Sequence, residues 1–168
     1  SIVLVLCLLS LAAVAQPPNS DCANVSLLCA QQPLADNNTG VVGLPGFCQN
    51  TANLLWYTFT TNSVGGVVDV VVDQFDCPVV PGMDNELTVV VLSGDGSCTP
   101  ASFTAVSICE TDSNYFVTST NALTPNTQYW VVVAGEQNNG PTIPAQCGFN
   151  IMVEGPGMDV VGIDFDAG

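Results

Sequence analysis

The chain of 168 residues contains no Lys, no Arg and no His, against 15 Asp and Glu, and carries a formal net charge of -15 at pH 7. Each absence removes a class of function. Without cationic side chains there is nothing to neutralise phosphates, so DNA and RNA are excluded as partners, and anionic membrane surfaces repel the chain. Without His there is no imidazole base, no His-ligated zinc and no Ser-His-Asp triad; without Lys there is no Schiff base and no phosphate-binding loop. No C-x-x-C pair occurs, which removes zinc ribbons and thioredoxin-like redox motifs. No stretch has a convincing 3.6-residue apolar period, so helices are not expected. What remains is chemistry by carboxylates alone, binding through oxygen, or no chemistry.

Ile2 to Ala15 form an almost unbroken apolar run that ends in Ala13-Val14-Ala15, the small-residue spacing of a signal-peptidase site. Residues 1–15 therefore read as a secretion signal, too short for the roughly 20 residues that a bilayer span needs. The rival reading keeps this run in the mature chain as an apolar strand or anchor. Residues 16–154 then form one domain-sized module with seven of the eight cysteines. A secretory route makes disulfides the default use of those thiols. Cys98 and Cys109 flank a segment short enough to return as a hairpin and are the first expected bridge; Cys29 with Cys48 is the second. An odd count leaves one thiol over.

What is abundant points to strands. Val is the commonest residue, Thr is plentiful, and apolar runs of four to eight residues are divided by Gly, Pro, Asn and Asp clusters. The expected strands are Leu54 to Thr60, Val64 to Val72, Glu86 to Leu92, Phe103 to Ser107, Tyr115 to Thr118, Gln128 to Val133 and Phe149 to Val153. This spacing predicts an all-β fold, an antiparallel β-sandwich or jelly roll of about 7–9 strands stitched by disulfides. In the first strand Leu55, Tyr57 and Phe59 share one face and Trp56, Thr58 and Thr60 the other. Thr124-Pro125-Asn126-Thr127 reads as a turn, with Pro fixing φ and Asn tolerating a left-handed position.

Seven segments occur in a suggestive order. They are Asn19-Ser20-Asp21-Cys22-Ala23-Asn24, Leu55-Trp56-Tyr57-Thr58-Phe59, Asp84-Asn85-Glu86-Leu87-Thr88-Val89, Gly96-Ser97-Cys98, Cys109-Glu110-Thr111-Asp112, the run from Leu123 to Gly135, and Cys147-Gly148-Phe149-Asn150-Ile151-Met152-Val153. As an ordered set they resemble β-sandwich modules of secreted Bacteroidota surface proteins, which are similar to the bacterial pre-peptidase C-terminal domain. The chain departs from that pattern at Leu54, where Asp usually precedes the Trp-Tyr run, and at Asn126, where Gly is usual. The resemblance implies an accessory module of adhesins and large secreted enzymes without catalysis of its own, and it names no ligand.

Carboxylates offer two kinds of site. A glycosidase needs two of them about 5–10 Å apart across a cleft, a spacing that 15 acids meet by chance, and no Asp-Thr-Gly or Asp-Ser-Gly is present for an aspartic protease. Catalysis is therefore not expected. Calcium is the more physical use, since it takes six to eight oxygens from loops rich in Asp, Asn, Ser and Gly. Three acidic loops qualify: Asp69 with Asp73 and Asp76, Asp84 to Glu86 with Asp95, and Glu110 to Asn114. In the resembling modules the segments matching Asp84 and Glu110 to Asp112 share one end of the sandwich, so Asp84, Glu110 and Asp112 are the expected calcium ligands.

Aromatic residues give a further candidate. Trp56 is expected in the core, whereas Trp130 stands as a possible ligand-stacking surface, its neighbours Tyr129 and Val131 facing the opposite way. After Glu154, Gly155-Pro156-Gly157 has a linker composition, and residues 155–168 read as a linker or the start of a following segment. The functional reading is a secreted, extracellular or cell-surface module that binds a ligand or a neighbouring surface protein. Two alternatives stand beside it, a filament subunit that self-assembles by strand exchange and a carbohydrate-binding accessory domain.

Overall fold

A computed structural model describes residues 16–41, 47–138 and 140–159; the expected signal segment, 1–15, lies outside them. Ten strands occur among the described residues: β1 Ser26–Leu27, β2 Leu34–Asn37, β3 Thr51–Thr60, β4 Asp69–Asp76, β5 Leu87–Ser93, β6 Thr104–Ala105, β7 Glu110–Asp112, β8 Phe116–Ser119, β9 Gln128–Glu136 and β10 Gly148–Glu154. They form two sheets, β1-β3-β9-β5-β6 with β7 also on β5, and β2-β10-β4-β8. All pairings between strands are antiparallel except that of β1 with β3. β6 and β7 both lie on the free side of β5, and together they are one interrupted edge strand. Apart from the β5 to β6–β7 hairpin, every connection crosses from one sheet to the other. This is a jelly roll, the expected β-sandwich class.

The alternation read in β3 holds. Leu55, Tyr57 and Phe59 face the inter-sheet core with Leu87, Val89 and Val91 of β5 and Tyr129, Val131 and Val133 of β9. Val70 and Val72 of β4 and Phe149, Ile151 and Val153 of β10 close it from the opposite sheet. Each buried side chain of this size stabilises by about 1.5–3 kcal/mol, so the layer between the sheets supplies most of the driving force. At the turn into β9, Asn126 is left-handed at φ 48°, as its short polar side chain permits.

Two bulges reset the alternation where it matters for the surface. On β3 the register slips between Ala52 and Leu55, with Asn53 at φ 58°. On β4 the four residues from Asp73 to Asp76 span three from Asn150 to Gly148, so Gln74 and Phe75 together oppose Phe149, with Gln74 at φ 52°. A simple alternation from Val70 and Val72 would send residue 74 inward; the extra residue instead turns Phe75 to the core, where its ring lies 6.0 Å from that of Phe116.

The outer face of the β3-β9-β5 sheet is a second core. Leu54, Trp56, Val90, Leu92, Trp130, Val132 and Ala134 are buried there under the N-terminal segment and two loops, with Cys22, Val25, Cys48 and Phe103 packed on them. The N-terminal segment is ordered by its own sequence: Asp21 caps the short turn Cys22–Asn24 by accepting from Ala23 N and Asn24 N. It is also tied inward, since buried Asn19 donates to Asp36 Oδ2 at 2.9 Å and the Tyr57 phenol donates to the same oxygen at 2.8 Å. Burial, then the Asp36 charge, push that phenol well above its ordinary 10.0.

Disulfides hold these covers in place, and they correct both expected bridges. The bonds are Cys22–Cys98, Cys48–Cys109 and Cys77–Cys147. Cys98 does not reach Cys109 because the returning segment pairs with β5 rather than with itself. Cys109 lies next to β7, level with the early part of β5, whereas Cys98 lies beyond Ser93 at its other end. At about 3.3 Å per residue that separation exceeds the ~7 Å limit for a bridge. Cys29 does not meet Cys48: it precedes Ala30, which bridges to Val153 of the opposite sheet, and it is exposed and unbonded among the described residues. Three disulfides mark an oxidising compartment, and no helix among the described residues is long and apolar enough to cross a membrane.

The module runs on past Glu154. Gly157 N donates to Val67 O at 2.9 Å, Asn62 N donates to Gly157 O at 2.8 Å, and Met158 is buried in the main core. A Cβ at Gly157 would stand 2.7 Å from Val68 Cγ2, so glycine is needed for that close approach. Residues 155–159 are thus packed against the sandwich rather than free as a linker; 160–168 lie outside the described residues.

Candidate functional site

One end of the jelly roll carries an open groove of about 340 Å³. Its walls come from the β4–β5 connection, through Pro78, Val79, Val80 and Met83, and from Phe75, which the β4 bulge turns to this side. Asn85 and Ser113 form its polar border. Local sequence explains the shape. Val80-Pro81-Gly82-Met83 closes a turn in which Met83 N donates to Val80 O at 3.1 Å and Gly82 takes φ 80°, the Pro-Gly order of a type II turn.

The turn is then locked to its neighbour. Thr142 N and Ile143 N both donate to Gly82 O at 2.9 Å, Asp84 N donates to Ile143 O at 3.0 Å, and Cys77–Cys147 closes the base. A loop fixed at so many points presents a preformed surface. That surface mixes polar and apolar groups, with Val79 fully exposed and Val80 40 % exposed.

Carboxylates crowd the same end. Buried Asp84 accepts from Asn85 N at 2.7 Å and Glu86 N at 3.2 Å through Oδ1, and from Asn138 N at 2.8 Å through Oδ2. Glu136, also buried, accepts from the Thr88 hydroxyl at 2.6 Å, which is in contact with that of Thr111. Glu86 accepts from Asn138 Nδ2. Its carboxyl is held above the ordinary 4.5, first by partial burial and then by the charges of Asp84, Glu136 and Asp112, with Asn138 opposing the shift. The cluster is therefore one of mutually repelling acids with no cation in the chain to answer them.

Of the three expected calcium ligands, Asp84 and Asp112 both act on Glu86, whereas Glu110 is not among the groups that shift it. Asp84 faces backbone N–H groups, and Glu110 and Asp112 pair across from Val89 and Leu87 on the edge strand. The described residues contain no group of three or more Asp, Glu or Cys placed to hold a metal ion. Trp130, the expected stacking surface, is 5 % exposed and meets Phe103 edge-on at 5.5 Å. It is a core residue of the outer face and offers no free ring. Trp56 is buried as expected.

The groove itself was not expected. Its signal was a pair of apolar residues, Val79-Val80, set between Pro78 and Pro81 directly after a cysteine; only the bulge at Gln74 and the Cys77–Cys147 bond convert that pair into one wall of a site. Glu86 belonged to the acidic loop expected with Asp84, whereas Glu136 was missed because it lies at the end of β9, fifty residues further along the chain.

No family model matches this chain, and no match to it is found among curated proteins or solved structures.

Proposed function

We propose that the protein is a secreted, extracellular or cell-surface module without catalysis of its own, which binds a ligand or a neighbouring surface protein through the loop end that carries the groove. The observation behind this reading is the preformed groove of about 340 Å³, walled by Phe75, Val79, Val80 and Met83 and bordered by polar Asn85 and Ser113, with Glu86 and the carboxylates that act on it following Asn85 in the chain. Val79 is fully exposed and Val80 partly so on this loop, and apolar side chains bordered by polar groups are a common form of contact site. The secretion part of the proposal rests on reading the apolar run at 1–15 as a signal segment, and the oxidised cysteines support it. The likeness to β-sandwich modules of Bacteroidota surface proteins remains part of the proposal, resting on the ordered motifs alone.

Surface plasmon resonance over an immobilised polyanion, a cationic protein and a neutral polysaccharide tests this. Saturable binding to one surface is the expected result, with no turnover of chromogenic ester, glycoside or peptide substrates. Turnover of any of them, or no saturable binding at all, sinks the reading.

A further inference from the structure

We infer that the groove takes a cationic polypeptide segment in which an aliphatic side chain is flanked by Lys or Arg. This deepens the binding reading above and depends on it. Three features define the occupant. The first is the apolar wall of Phe75, Val79, Val80 and Met83, which removes aliphatic area from water when filled. Its volume is at the small end of ligand sites, enough for one or two side chains and not for a folded domain.

Charge is the second feature. Asp76 and Asp112, both exposed, directly precede the groove residues Cys77 and Ser113, and Glu86 follows Asn85. Glu86 and Asp112 thus stand next to Asn85 and Ser113, the polar border of the groove, and Asp112 acts on Glu86 by its charge. No cationic side chain exists anywhere in the chain, so those charges have no side-chain counter-ion, and a Lys or Arg brought beside them gains an interaction the free protein lacks.

The third is exclusion by sign. A second copy also carries -15 and approaches against like charge, and nucleic acids and anionic lipids are repelled for the same reason. Lys and Arg combine an apolar stem with a charged head, which matches an apolar floor with an acidic border.

Fluorescence anisotropy with short dye-labelled peptides tests this: one alternating Leu and Lys, one alternating Gly and Lys, one alternating Leu and Glu. The Leu–Lys peptide binds, the other two bind at least about tenfold more weakly, and salt weakens binding as the carboxylates are screened. The double variant Val79→Asp, Val80→Asp gives a signed test. It changes exposed positions and adds two negative charges, so association by charge alone tightens, whereas groove binding weakens by about tenfold or more. A second variant, Glu86→Gln with Asp112→Asn, keeps the wall and weakens the Leu–Lys peptide by a few-fold. Near-ultraviolet circular dichroism confirms that each variant is folded.

The inference falls if the Leu–Lys peptide does not bind, if Gly–Lys binds equally, or if Val79→Asp, Val80→Asp binds as tightly as the parent. It also falls if the peptide-free protein sediments as a dimer that this variant dissolves, which would make a second copy the occupant. Saturable binding to an immobilised surface that survives Val79→Asp, Val80→Asp leaves the module reading intact and removes only the groove from it.

Discussion

The two outer faces of the jelly roll are built on opposite plans. On the β2-β10-β4-β8 sheet, strand β10 alternates in the simplest way: Phe149, Ile151 and Val153 are buried while Asn150, Met152 and Glu154 are partly exposed. Asn150 lies opposite Asp73, and Glu154 lies opposite Asp69, a like-charge pair that weakens the sheet. Ser119 Oγ softens it by donating to Asp69 Oδ1 at 2.6 Å. The β3-β9-β5 sheet is apolar on both sides, and its outer face is covered by loops under two disulfides. One sheet is finished by water, the other by its own chain.

The difference teaches where the disulfides act. The covers over Trp56 and Trp130 lie far in sequence from the strands they protect, so their closure is entropically costly. Cys22–Cys98 and Cys48–Cys109, with sequence separations of 76 and 61, remove much of that cost from the unfolded chain, by about 4 kcal/mol each in the loop-entropy description. The open face needs no such closure. There the remaining bond, Cys77–Cys147, instead joins the ends of β4 and β10 at the base of the groove loop.

The largest test of this contrast compares one residue from each face. Trp130→Ala should lower stability by about 3–5 kcal/mol, while Val117→Ala on the open face should cost less than about 1 kcal/mol; urea melts of both variants decide. A Trp130→Ala protein that melts with the parent would return Trp130 to the role of ligand contact. Next, Cys22→Ser with Cys98→Ser should lower Tm by roughly 10 °C, from about 4 kcal/mol at 2–4 °C per kcal/mol. It should also bind an apolar dye at the uncovered outer face, which Cys77→Ser with Cys147→Ser should do less.

Smaller effects sharpen the acidic end. Because the Glu86 carboxyl is held above its ordinary 4.5 by partial burial and by neighbouring carboxylates, the folded chain binds its proton more tightly than the unfolded one. The stabilisation is complete below 4.5 and is lost as pH rises through the folded value. Glu86→Gln should therefore raise Tm at pH 7, by about 2 °C or less as for exposed charge pairs, and should make no difference below 4.5. A Tm gain that persists in acid would contradict the repulsion. Smallest of all, calcium and sodium chloride at matched ionic strength should shift Tm equally, since Asp84 already accepts three backbone N–H groups. An ion held at about tenfold its Kd would add about 1.4 kcal/mol in calcium only, and that excess would restore a metal site.

Much of this was legible in the residues. The strand runs and the inward set of Leu55, Tyr57 and Phe59 follow from period-two alternation, and the sandwich class follows from short strands between turn residues. The double burial of the β3-β9-β5 sheet was legible too, though in a different sign: Val89 to Leu92 and Tyr129 to Ala134 are unbroken apolar runs, the mark of a strand covered on both faces. The expectation of Trp130 as a ligand-stacking surface runs against that continuity. The groove was hidden, because it depends on which residue a bulge turns inward and on a bond between cysteines 70 positions apart.

Composition and local pattern by themselves determined the sign of every charged side chain and the all-β class, because these depend on which groups exist and on nearest-neighbour periodicity. Tertiary structure alone decided which cysteines join, which aromatics lose contact with water and which acids gather around Glu86. Those outcomes are set by distances between segments that crossing connections bring together, and local pattern carries no measure of such distances.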